Sequence, residues 1–290
     1  MFTKRENLCL AFCAACALIL SACAAARPPD AAGPRANEAL YPVVITDDES
    51  RRETTLAIWN GWTRAQGVTN APAPELQPVT ATIKSLPANL NTPLYLPKVG
   101  AEALMTEEET RESLRRFIIS AKDLIGTEPQ QLSLVQTADL ADGTKEALYQ
   151  QRPFRYPLRN GYGQLTIKFA PDRRLLQLSS TCVPEVERIQ KAVTGGTPKF
   201  TAEEIAKRIV GRTFTYEDAN GNQQSYTVSA SDPVNVRELV IYPHTHAGTP
   251  PLLEFHFTWE IVVGAAPART VYLDAFTDEI IDATHVAPPT

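Results

Sequence analysis

The sequence predicts an α+β fold in which helices pack on antiparallel sheets, arranged as two related modules. Three observations predict it. In Leu253-Glu-Phe-His-Phe-Thr-Trp-Glu-Ile-Val-Val263, the apolar Leu253, Phe255, Phe257, Trp259, Ile261 and Val263 alternate with the polar Glu254, His256, Thr258 and Glu260. Period two over this length predicts a strand with one buried face and one wet face. Thr46–Glu49, Thr106–Glu109 and Thr201–Glu204 each have the spacing of a helix-opening capping box. A helix followed by antiparallel strands then appears twice, at 107–180 and 202–283.

Taken in order, the chain opens with Lys4 and Arg5, an apolar run from Leu8 to Leu20, and Leu20-Ser21-Ala22-Cys23. The run is short for a bilayer span. A positive start, a short apolar core and small residues before a cut predict a secretory signal over 1–22. The L-S-A-C tetrad resembles a bacterial lipobox. That resemblance implies cleavage before Cys23, acylation of Cys23 (palmitate included) and a lipoprotein anchored in the bilayer. Ala24 after the Cys resembles outer-membrane sorting, with the folded part facing the periplasm, rather than inner-membrane retention. Residues 23–39 are rich in Ala and Pro and lack an apolar period, which predicts a flexible tether. The sixteen residues 24–39 reach on the order of 20–25 Å.

Residues 40–103 read as an N-terminal helix and a Pro-rich connector. Tyr41–Thr46 predicts a short strand, and a helix follows to Gln66 with Gly67 as its stop. Leu56, Trp59 and Trp62 share one face, a packing face in preference to a ligand platform. Six prolines between Val68 and Gly100 exclude long regular structure. The next module, 104–200, opens with a helix to Ile125 stopped by Gly126. Leu114, Phe117, Ala121 and Leu124 make its buried stripe. Strands follow at 131–137, 145–154, 164–169 and 175–180. The last module, 201–284, has a helix to Val210 with Gly211 after it. A hairpin turns at Asn220-Gly221, and strands follow at 235–242, 253–263, 270–275 and 280–281. Residues 285–290 form a tail.

Trp259-Glu-Ile-Val-Val, followed by Val271-Tyr-Leu-Asp-Ala-Phe-Thr-Asp-Glu-Ile-Ile281, resembles the end of a PepSY domain. Asp278 stands where that family usually has Gly, and Asp tolerates the left-handed turn. Tyr149-Gln-Gln-Arg-Pro-Phe154, Gly163–Phe169 and Arg173–Ser180 resemble strands of the fungalysin/thermolysin propeptide domain. Together these resemblances imply a tandem propeptide architecture of PepSY/cystatin-like modules. A thermolysin-like peptidase needs H-E-x-x-H on a helix, and the sequence has none.

Composition narrows the function further. The net charge is −5, and removing Lys4, Arg5 and Glu6 with residues 1–22 makes it −6. A mildly acidic body argues against nucleic-acid binding. Of five cysteines, Cys9, Cys13 and Cys16 lie in the signal and Cys23 is the lipidation site, so only Cys182 remains and no internal disulfide forms. Cys182 reads as a small buried residue before a nucleophile. His244-Thr-His246 is a weak candidate metal pair, with Pro243 and Gly248 favouring a surface loop and His256 or His285 as further donors. Asp274, Asp278, Glu279 and Asp282 read as a solvated acidic turn before a Ca2+ site. No phosphate loop or nucleophile elbow is present, so no catalysis and no cofactor are expected. The expectation is a membrane-anchored envelope lipoprotein that binds an envelope protein partner, modulating a peptidase in trans or serving assembly.

Overall fold

The computed structural model describes residues 41–285 apart from 103, 219, 247, 249 and 266. Cys23 and the segments expected as signal and tether lie outside the described residues. The described part is α+β, with two principal sheets, antiparallel except for one parallel pairing in the larger, and a small hairpin.

The first sheet is built from β4 (Leu132–Asp139), β5 (Lys145–Gln151), β6 (Gln164–Phe169) and β7 (Leu175–Ser180), in the order β4-β5-β6-β7. Its core contains Ala147, Tyr149, Leu165, Ile167 and Phe169, all buried with Leu114, Phe117, Ala121 and Leu124 of α2 (Glu107–Ile125). Helix α2 begins at the expected capping box, with Thr106 and Glu109 exchanging side-chain and backbone bonds. It ends at Gly126, whose φ of +82° is left-handed. Helix α1 (Glu49–Ala65) brings Trp59 and Trp62 into the same core, which is packing and not a platform. Its cap is Asp48, whose side chain accepts from the Ser50 N–H. The Thr46–Glu49 box is therefore corrected, because the cap that forms lies two residues later and bonds the second helical N–H instead.

The Pro-rich segment contributes more than a connector. A short hairpin of β2 (Glu75–Leu76) and β3 (Ile83–Ser85) forms, and Val68, Ile83, Leu94 and Leu96 are buried in the first core. Apolar residues between prolines bury well even where no long element can form. Strand β5 stops at Gln151, short of the expected Phe154, because Pro153 has no N–H to continue the ladder.

The second sheet runs β1 (Val43–Thr46), β11 (Leu252–Val263), β12 (Arg269–Asp274), β13 (Ile280–His285), β8 (Thr213–Glu217) and β9 (Gln223–Thr227). Strand β10 (Val234–His246) pairs with β11 along the opposite edge. Strands β1 and β12 share the remaining edge of β11, β1 over 252–255 and β12 over 258–263. Two helices cover the odd face of β11. Ile189 and Val193 of α3 (Val186–Thr194) share a core with Leu253, Phe255 and Phe257. Ile205 of α4 (Ala202–Arg208) and Ile209 share one with Ile261 and Val263. Helix α3 gives no start signal in the sequence, since Glu185 caps it in a left-handed conformation without a side-chain bond.

The wet face expected for β11 is corrected. His256, Thr258 and Glu260 on the even face are all buried. Val240 and the stacked rings of Tyr242 and Tyr272, 3.9 Å between centroids, form an apolar cluster there. The buried Glu260 carboxylate is paired with Arg159 and Arg237 at 2.7 and 3.2 Å.

Gly126 supplies a stability test. A Cβ added there would stand 2.4 Å from Thr82 Cγ2. Gly126→Ala should lose more than about 2 kcal/mol in urea unfolding, from the left-handed φ plus the clash. Gly143→Ala, equally left-handed but facing open space, should lose only about 1 kcal/mol. Thr82→Ser in the Gly126→Ala background should recover part of the loss. Equal losses at both glycines would refute the close approach.

Candidate functional site

The residues that the sequence singled out for chemistry separate into one cluster and several lone positions. The cluster begins on β10. His244 and His246 lie on this strand, not on a loop, because β10 continues through Pro243 in register with β11 as far as the His246–Leu252 pair. Two positions apart on a strand, they share a face. Their rings meet edge to face, with centroids 4.6 Å apart. Glu254 sits directly across from His244, and His256 across from Tyr242.

These side chains form a chain of charge-assisted contacts. His246 Nε2 lies 2.9 Å from Glu254 Oε2, and His256 Nε2 lies 3.1 Å from the same oxygen. The other nitrogen of His256, Nδ1, lies 2.9 Å from Asp274 Oδ2. Tyr41 donates its hydroxyl to Asp274 Oδ2 at 2.5 Å and accepts the Phe257 N–H at 2.7 Å. Asp274 Oδ1 accepts the N–H groups of Phe276 and Thr277. Asp274 is 1% exposed. Arg212, Thr213, His244, His246, Glu254 and His256 line an open groove of about 620 Å³, together with Glu279–Ile281.

The electrostatics follow from these partners. Burial pushes the Asp274 pKa up, but the bonds from His256, Tyr41 and the backbone outweigh it and hold the carboxyl below its ordinary range. Glu254 behaves likewise: burial raises it, and the two histidines pull it down further than that. For His256, burial favours the neutral ring, yet Asp274 and Glu254 together raise its pKa. With a carboxylate at each nitrogen, His256 makes both bonds only as the imidazolium.

The other candidates stand apart. Asp278 is held by Arg208 and Arg212 at 2.5 and 3.1 Å. Its φ of +71° is the left-handed turn expected of it. Asp282 accepts the Tyr242 hydroxyl, and Glu279 accepts that of Thr277. The acidic turn therefore disperses among separate partners instead of converging on a cation. Cys182 is fully buried, and burial pushes its thiol up to about 12. Among the described residues no helix is long and apolar enough to cross a membrane. Among them, no three His, Cys, Asp or Glu side chains are arranged to hold a metal ion as they stand. Tyr41 escaped sequence reasoning, since nothing local links it to a carboxylate 233 residues away.

The network dictates a pH profile. The folded pKa of His256 lies above its ordinary 6.5. Its contribution is full below about pH 6.5 and is lost as pH rises through the folded value. The folded pKa values of Asp274 and Glu254 lie below their ordinary ones. Their contribution is present above about pH 4 and is lost as pH falls. Urea unfolding in chelator-treated buffer should therefore give this network's greatest contribution between about pH 4.5 and 6.5. His256→Gln should flatten the alkaline decline. A decline left unchanged in that variant would refute the assignment.

No protein-family model matches the chain, and no curated protein matches it. Among solved structures it is similar to the Bacillus megaterium YpeB C-terminal domain, with 9% identity, a TM-score of 0.27, and coverage of 84% of this chain and 100% of that one.

Proposed function

We propose that the chain is a non-catalytic cell-envelope lipoprotein, anchored through acylated Cys23, whose folded part binds another envelope protein. The observation that carries the binding reading is the edge of the first sheet. Strand β4 is the terminal strand of its sheet, and among the described residues no strand pairs with its outer side. From Leu132 to Ala138 it has no charged residue and no proline. Val135, at the register shift opposite β5, is 50% exposed, and Leu134 is 36% exposed. Edge strands of soluble proteins are ordinarily blunted by charge or proline, because an open row of N–H and C=O groups accepts another strand. An eight-residue edge strand whose only charge is the terminal Asp139 suits an extended segment of a partner protein adding itself to the sheet.

The one cysteine of the described part is sealed and stays protonated. The resemblance of the two modules to tandem propeptide domains (PepSY-like and propeptide-like) makes a peptidase the first partner to test. An assembly component of the outer membrane, bound without effect on proteolysis, is the second. Neither reading calls on a cofactor or nucleic acid.

Capture from solubilised envelope extract followed by a proteolysis assay separates the two partners. Val135→Lys tests the edge itself. The charge should weaken partner binding about 10-fold or more, while the change in folding stability stays within about 0.5 kcal/mol. A variant that binds as tightly as the parent would remove β4 as the docking edge.

A further inference from the structure

Three of the four histidines of the chain line one groove, on the even face of β10 and β11. The non-catalytic binding reading leaves them without a task. Their geometry is more particular than a surface cluster requires. His246 Nε2 and His256 Nε2 converge on one oxygen, Glu254 Oε2, at 2.9 and 3.1 Å. Around a tetrahedral zinc-class ion, with donor bonds near 2.0–2.2 Å, neighbouring donor atoms stand roughly 3.3 Å apart. The two observed separations fall short of that edge by roughly 0.2–0.4 Å. The contraction is what hydrogen bonds between the same atoms impose. In both contacts the imidazole Nε2 is aimed at Glu254 Oε2, so an ion seated among the three atoms would take the place of the two hydrogen bonds.

A second, independent feature is the partner of His256 on its far side. Nδ1 meets the buried Asp274 carboxylate at 2.9 Å, and Asp274 is itself fixed by Tyr41 and two backbone N–H groups. A buried carboxylate holding Nδ1–H, so that Nε2 faces an open groove, is the outer-shell arrangement that orients histidine ligands on metals. Glu254 and Asp274 also bring two negative charges to balance a dication. His244, beside His246, completes the set of donors at the groove wall.

We propose that this groove binds one divalent transition-metal ion of the zinc class through His246 Nε2, His256 Nε2 and the Glu254 carboxylate, with His244 as the fourth donor and Asp274 as the positioning residue behind His256. Imidazole with one carboxylate suits zinc, copper or nickel over magnesium and calcium. The other carboxylates of the acidic turn, Asp278, Glu279 and Asp282, are dispersed among arginine, threonine and tyrosine partners and take no part.

The test uses the full chain, stripped with chelator and titrated with Zn2+ by calorimetry and with Co2+ by visible absorption. One ion per chain is expected, with a tetrahedral Co2+ band. His256→Ala and Glu254→Gln should each weaken binding about 10-fold or more, and Asp274→Asn about 10–100-fold. His285→Ala should change nothing. Far-UV circular dichroism accompanies each variant. Should Asp274→Asn fail to fold, His256→Ala and Glu254→Gln decide. Affinity equal to that of a His246→Ala/His256→Ala double variant would overturn the proposal. So would binding that survives His256→Ala but is abolished by His244→Ala/His246→Ala, since only an exposed pair would then be at work.

Discussion

A carboxylate with almost no exposure can stay ionised only if its surroundings replace water, and at Asp274 they do. Two backbone N–H groups, one hydroxyl and one imidazole donor surround it. The position is demanding because β11 changes neighbours there. Strand β1 leaves its edge at Phe255, and β12 arrives at Thr258. Between them, the Phe257 N–H would lack a ladder partner. The Tyr41 hydroxyl accepts it, while Ala275 donates to the Phe257 carbonyl. One tyrosine thus closes the gap in the ladder and donates a hydrogen bond to the buried charge behind it. The cost of leaving such groups unpaired explains why the junction draws residues from both ends of the fold.

Legibility in the sequence follows the range of the interaction. Helix α2 was readable almost to the residue, because its capping box, its stripe and its Gly126 stop are all local. Strands β6 and β7 were readable for the same reason, with period two and a Pro-Asp turn between them. Helix α3 was not, although the odd face of β11 near Phe255 needs a cover that α4 alone does not supply. Its cap makes no side-chain bond, so no residue type announces it. The even face of β11 reads as wet for a different reason. Polar letters in a strand signal water only when no partner is brought from elsewhere. Glu260 receives Arg159 from 101 residues away, and His256 receives Asp274 from a separate strand.

The histidine site shows the same division. His244 and His246 were visible as a pair by spacing, and His256 as a polar position on a strand. That they share Glu254 depends on the β10–β11 register, which a sequence fixes only through the sum of many side-chain pairs. Pro243 argued locally for a loop, yet the register carries β10 past it, and the pairing with β11 decides the outcome.

The seat of β1 also sets an order of events. Val43 and Ile45 are buried against a strand that lies more than 200 positions later in the chain. Closing so long a loop comes late, because its entropy must be met before the contact rewards it. The first strand to be synthesised is therefore among the last to be placed, and the large sheet cannot be completed on a partly made chain. A protein built this way keeps one edge of β11 open until its C-terminal third has been made.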